Sequence, residues 1–187
     1  MIARAARACS FAPSMKPIVI SLIALALSAS VHAAPPKPPV GPDSAAAFEM
    51  LKSLAGEWRG NVGKPGNPGG IDYRVTAGGS VVMETLFPGT DHEMISMYFL
   101  NRGELMLTHY CAAGNQPEML YDRKHSGSDE LAFKFDGGRG FSMRDDLHIH
   151  NGAIKLHDAR HIEAEWTSWN QGKPGATHHF VLTRVAK

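Results

Sequence analysis

The chain is poor in cysteine, with only Cys9 and Cys111 in 187 residues. A disulfide-stapled scaffold is thereby excluded. Neither sign of charge dominates, since 19 basic residues face 18 acidic ones, and no basic stripe suggests a nucleic-acid partner. No apolar run reaches the roughly 18 residues of a membrane-spanning helix, so no membrane span is expected. Also missing are a phosphate-cradling glycine loop, a nucleophile elbow and a dinucleotide fingerprint, which removes most large enzyme classes. No segment repeats at a fixed period.

What is present begins with an uncharged apolar run from Pro17 to Ala29, preceded by Lys16 and followed by Ser30-Val31-His32-Ala33. This pattern predicts a signal peptide over residues 1–33, cleaved after Ala33, and hence a periplasmic or secreted protein. Met1 and Met15 both serve as starts for it. No cysteine follows the run at a lipoprotein position, so no lipid anchor is expected. Losing Arg4, Arg7 and Lys16 takes the 19 basic residues to 16 against 18 acidic. The Pro-rich stretch 34–42 reads as an extended, mobile leader. Residues 43–187 then make one domain, long enough to bury a core without staples.

Asp43 or Ser44 can cap a short helix with Phe48, Leu51 and Leu54 on one face, ended by Gly56. Such a helix could plug one end of the domain that the later segments build. From Glu57 onward only short strands appear. The first opens at Trp58, and Asn61 to Gly70, rich in glycine and proline, reads as a flexible loop. Further strands are predicted at residues 71–76, 80–87, 95–100, 105–111, 119–124, 131–135, 147–156, 161–169 and 177–185. Asn101-Arg102-Gly103-Glu104 is a hairpin signal. In one strand Ile162, Ala164 and Trp166 alternate with Glu163, Glu165 and Thr167, the mark of one buried and one wet face. The expectation is an all-β protein: an antiparallel up-and-down barrel of about ten strands with a short N-terminal helix.

Chemistry concentrates in Leu107 to Pro117. His109 and Cys111 share one face of a strand and Tyr110 takes the other. A lone His on an apolar face usually needs a buried partner, and Glu84, which interrupts the apolar strand Val81 to Phe87, is the obvious one, with Glu93 a second choice. Cys111 reads first as a small buried hydrophobe, with a ligand or an intermolecular bridge as the alternatives. Asn115 and Gln116 follow Gly114 in a predicted turn, at the rim of a pocket or simply satisfying turn backbone. His148 and His150 sit on one side of a strand and could chelate a metal with a third ligand, although the segment also reads as a solvated edge. His178 and His179 point to opposite faces and cannot chelate together.

Leu54-Ala55-Gly56-Glu57-Trp58 and Leu182-Thr183-Arg184 are similar to the paired signature of lipocalin-type barrels, in which the first-strand Trp packs beside the last-strand Arg. The resemblance implies a Trp58–Arg184 cation–π contact worth about 0.5 to 2 kcal/mol. The runs Gly78 to Thr90, His92-Glu93-Met94 and Thr108 to Pro117, with its Thr-His-Tyr-Cys and Gly-Asn-Gln-Pro elements, resemble a bacterial family known mainly as a domain of unknown function. That likeness implies a barrel similar to lipocalins and to the nitrobindin-type haem barrels. Haem binding of that kind would ask for a His near the chain end, for which His178 and His179 are candidates.

Three functional expectations result. The first is a secreted barrel holding a small, largely apolar molecule, with Glu84, His109, Cys111 and Tyr110 at the polar end and Asn115 and Gln116 at the rim. The second is a small-substrate hydrolase or isomerase using His109 with Glu84, and Cys111 or Tyr110 as acid or nucleophile. The third is haem binding.

Overall fold

A computed structural model describes residues 40–142 and 145–186. The predicted signal peptide and most of the leader lie outside the described residues. One α-helix, α1 (Ser44–Ser53), precedes ten strands: β1 (Gly56–Val62), β2 (Pro68–Thr76), β3 (Val81–Leu86), β4 (Met94–Asn101), β5 (Glu104–Tyr110), β6 (Gln116–Tyr121), β7 (Glu130–Arg139), β8 (His148–Leu156), β9 (His161–Asn170) and β10 (Lys173–Arg184). Each strand pairs antiparallel with its neighbours in sequence, and β1 also pairs with β10, so the sheet closes into an up-and-down barrel. Closure leaves no free edge to pair with another chain.

Local sequence explains the joints. The Asp43 carboxylate accepts from the Ala46 amide at 2.9 Å and starts α1. Arg102 and Gly103 both adopt positive φ, 50° and 88°, as the two-residue hairpin between β4 and β5 demands, and glycine meets that demand without steric cost. The loop expected over Asn61 to Gly70 is shorter than the composition suggests, because its ends belong to β1 and β2. Gly69 and Gly70 pair with Gly60 and Arg59, and a side chain at Gly69 would run into Val62. Glycine there serves close strand packing rather than mobility.

Helix α1 buries Ala47, Phe48 and Leu51, and the following Leu54 is buried too. It packs on β5, β4 and β2, closing one end of the barrel. The leader's described end is not a free spacer. Gly41 exchanges hydrogen bonds with Arg123, and Tyr121 donates to the Pro42 carbonyl at 3.0 Å.

At the closed end Trp58 is fully buried and Arg184, its register partner across β1 and β10, lies over the indole at 4.2 Å. The same guanidinium donates to the carbonyls of Ser53, Ala55 and Ala159 at 2.7–2.9 Å. It thereby ties the end of α1 to the barrel. Arg184→Ala is expected to cost about 2 kcal/mol from the ring contact and three unmet carbonyls, read as a lower urea midpoint. An unchanged midpoint would show that the contact contributes nothing.

Candidate functional site

The inward positions of β2 to β5 form a polar row. Tyr73 pairs with Glu84, Glu84 with Ser96, and Ser96 with His109. The parity of each strand turns all four side chains inward. All four are buried. Tyr73 donates to Glu84 Oε1 at 2.8 Å, and Tyr98, two residues along from Ser96, donates to Oε2 at 3.0 Å. Ser96 Oγ lies 3.0 Å from His109 Nδ1. The direct Glu84–His109 bond expected from the sequence is therefore not made. One strand, β4, stands between them and contributes the serine that links them.

Burial sets the protonation of this row. It pushes the Glu84 carboxyl up to about 7, while hydrogen bonds from Ser96, Tyr73 and Tyr98 hold it from rising further. Burial and the adjacent carboxylate raise both phenols well above their usual range. Burial alone pushes His109 down to about 4, so its ring is neutral at neutral pH. Where the Ser96 hydroxyl donates to Glu84, its oxygen accepts from His109 Nδ1–H and Nε2 carries the lone pair; where it donates to Nδ1, Nε2 carries the proton.

At the end of the barrel away from α1 lies a cavity of about 630 Å³. Its floor is made by the buried Leu86, Phe180, Ile149, Trp166 and His109. Met94, Cys111, Ser168 and His178 line the walls, and Phe87, Thr90, His92, Ala112 and Leu147 stand at the mouth. The loops after β3, β5 and β7 thus frame the opening. The His109 and Trp166 rings lie 6.1 Å apart at 22°. His109 Nε2 and Trp166 Nε1 are buried with no hydrogen-bond partner among the described residues.

The residues singled out from sequence fall in different places. His109 and Cys111 line the cavity, whereas Glu84 sits behind them, enclosed by the two tyrosines. Cys111 Sγ is 4.0 Å from Met94 Sδ and 3.5 Å from the Ala113 amide. Tyr110 is 49% exposed on the outer face, as strand parity requires. Glu93 accepts from the Gly89 amide at 2.7 Å and serves the turn after β3. Asn115 is buried and donates to the Leu147 carbonyl at 2.7 Å, tying the loop after β5 to the segment before β8. Gln116 is not in a turn but opens β6, and its amide donates to the Gly114 carbonyl. Neither amide lines the cavity, because each is used on neighbouring backbone.

The His148 and His150 rings face each other on β8. His148 donates from Nδ1 to the Asp146 carbonyl, and its Nε2 faces His150 Nδ1 at 3.1 Å, so the two nitrogens satisfy each other. The ladder shifts register between Ile149 and Asn151, and His150 is the extra residue, its ring stacked between Phe135 and Trp169 at 4.5 Å from each. Among the described residues no three His, Cys, Asp or Glu side chains are grouped to hold a metal ion. His179 faces outward to Glu163 at 3.0 Å, while His178, opposite Trp166, turns to the cavity wall.

Sequence reasoning missed Trp166, Phe180 and Ile149 as floor residues and Ser96 as the link. Alternation marked Trp166 as inward, but height along the barrel depends on register, which alternation does not carry.

Fold and site together define a closed ten-stranded antiparallel barrel, plugged at one end and hollow at the other, with one neutral imidazole at the base of an apolar cavity. No family model matches the sequence, and no curated protein matches it. Among solved structures it is similar to the crystal structure of a protein of unknown function from the DUF3598 family of Nostoc punctiforme, at 15% identity and a TM-score of 0.47. That likeness covers 72% of this chain and 49% of the other, so the chain spans about half of that neighbour's length.

Proposed function

We propose that this protein is a periplasmic or secreted carrier or sensor that holds one small, predominantly apolar molecule in the open end of its barrel. The observation that carries the reading is the cavity itself, about 630 Å³ and lined mainly by hydrocarbon, with the His109 and Trp166 rings among its lining. Cavities of this size and lining suit ligands of a few hundred daltons. The Trp58–Arg184 contact, which the resemblance to lipocalin-type barrels implies, supports the same reading.

The acid–base reading is weaker on the same geometry. A general base works best with a pKa near ambient pH, and burial leaves His109 at about 4. Glu84, at about 7, has the better value but is shut away from the cavity by Tyr73 and Tyr98.

Haem is the second reading, favoured by one observation: of the two histidines near the chain end, His178 lines the cavity. Native mass spectrometry of protein isolated from its host separates the two. The expected result is a non-covalently bound apolar compound, with added hemin giving no Soret band of a histidine-ligated haem. A Soret band lost in His178→Ala would transfer the assignment to haem. Repeated preparations carrying neither would remove the carrier reading.

A further inference from the structure

The outer face of β3 to β6 is apolar where the wet side of an antiparallel sheet is ordinarily polar. Strand parity turns Val81, Met83, Ile95, Met97, Phe99 and Met106 outward, and all six are half-buried and stand outside the core cluster. Register aligns them in rows across the sheet. One row runs Val81, Phe99, Met106 and Leu120. The next runs from β2 to β6 as Arg74, Met83, Met97, Thr108 and Glu118. A third sets Ile95 beside the exposed Tyr110. With strands about 4.8 Å apart and outward positions about 6.8 Å apart along each, four strands by three rows cover roughly 400 Å². That is about half of the roughly 800 Å² per partner in a standard interface, where an apolar centre is ringed by polar residues.

The middle row decides what the ring would meet. It is cationic at its β2 end and anionic at its β6 end, with Met97 of β4 at its centre. The exposed Arg74 guanidinium contacts the Met83 sulfur at 3.7 Å and has no carboxylate partner among the described residues. Glu118 is 3.4 Å from the largely exposed Arg139, a pair weak enough to share. We propose that this face is the interface of a homodimer, formed on a two-fold axis that runs along β4. About such an axis each β2 position meets β6 of the second copy and each β3 position meets its β5, so one patch serves both copies. Arg74 then faces Glu118 at two symmetric sites, Val81 faces Met106, and Met97, Phe99 and Ile95 face their own counterparts. The charges select this axis. A two-fold laid along the middle row instead would set Arg74 on Arg74 and Glu118 on Glu118, and like charges so opposed repel.

The test is sedimentation velocity of the protein isolated from its host, over about a hundredfold range of concentration. A concentration-dependent dimer is expected. Arg74→Glu and Glu118→Arg should each weaken it at least about tenfold, because each change acts at both symmetric sites. The double variant rebuilds the two pairs in reverse, so it should associate at least about tenfold more tightly than either single. Met97→Lys, on the axis, should leave a monomer with the parent's far-ultraviolet circular dichroism. A monomer at every concentration, a dimer indifferent to Met97→Lys, or a double variant no tighter than the singles overturns the proposal. A monomer that floats with phosphatidylcholine vesicles, and ceases to in Met97→Lys, would overturn it in favour of a membrane surface.

Discussion

Glu84→Gln is expected to uncover a stability that climbs steeply with pH, by about 3 kcal/mol between pH 4 and 6.5, where the parent protein stays nearly flat. In the folded parent Glu84 holds its proton up to about 7, whereas an unfolded carboxyl releases it near 4.5. The folded state therefore binds more protons in that window, and the carboxyl lowers stability as pH rises through it. His109 acts in the opposite sense. Its folded value of about 4 lies below the ordinary 6.5, so the unfolded state binds more protons and stability rises with pH over 4 to 6.5. Each shift corresponds to about 3 kcal/mol, and the two oppose each other over most of their range. Tyr73 and Tyr98 titrate far above this window. Removing the carboxyl leaves only the imidazole. Urea midpoints of the variant and the parent across pH 4 to 8 check this, the difference between them cancelling groups common to both. Parallel curves would mean that Glu84 titrates in the folded protein where it does in the unfolded chain, and the buried row would need another proton arrangement.

A single methyl group at position 152 should damage both fold and cavity. Gly152 lies opposite Trp166 across β8 and β9, and a Cβ there would stand 2.3 Å from Trp166 Cζ3 and 2.6 Å from Cε3. No real side chain tolerates that approach, so the indole must leave its place beside His109 and move into the cavity. Gly152→Ala is expected to cost about 3 kcal/mol, toward the upper end for overpacking a core. Affinity for the neutral fluorophore N-phenyl-1-naphthylamine should fall at least about tenfold, since each 1.4 kcal/mol of lost contact is a factor of ten. A near-ultraviolet circular dichroism spectrum would report the displaced indole. A variant with the parent's melting temperature and probe affinity would show that the tryptophan has another resting place.

Most of the architecture was legible one strand at a time. Ile162, Ala164 and Trp166 alternate with charged neighbours, and all three are buried in β9. The helix began at its predicted cap, and the hairpin at Arg102-Gly103 took the positive φ angles its residues announce. Composition misled where glycine served packing instead of freedom, as at Gly69 and Gly70. It misled again after Gly114, where the ladder of β6 starts early enough to draw Gln116 out of the turn. The site was less legible. His109 and Glu84 were recognisable because polar groups on apolar strands need partners, but the partner each found came from β4 or β2 and not from the other.

Parity along a strand is a local property: successive side chains must take opposite faces, so inward and outward can be read from residue types alone, and so can the turns that separate ten short strands. Height in the barrel is a collective property. It depends on how far each ladder is staggered against the next, and that stagger follows from the packing of all ten strands around α1 and Trp58 at the closed end. Only that arrangement set Ser96 between the carboxyl and the imidazole, lifted Trp166 to the floor beside His109, and left the far end hollow.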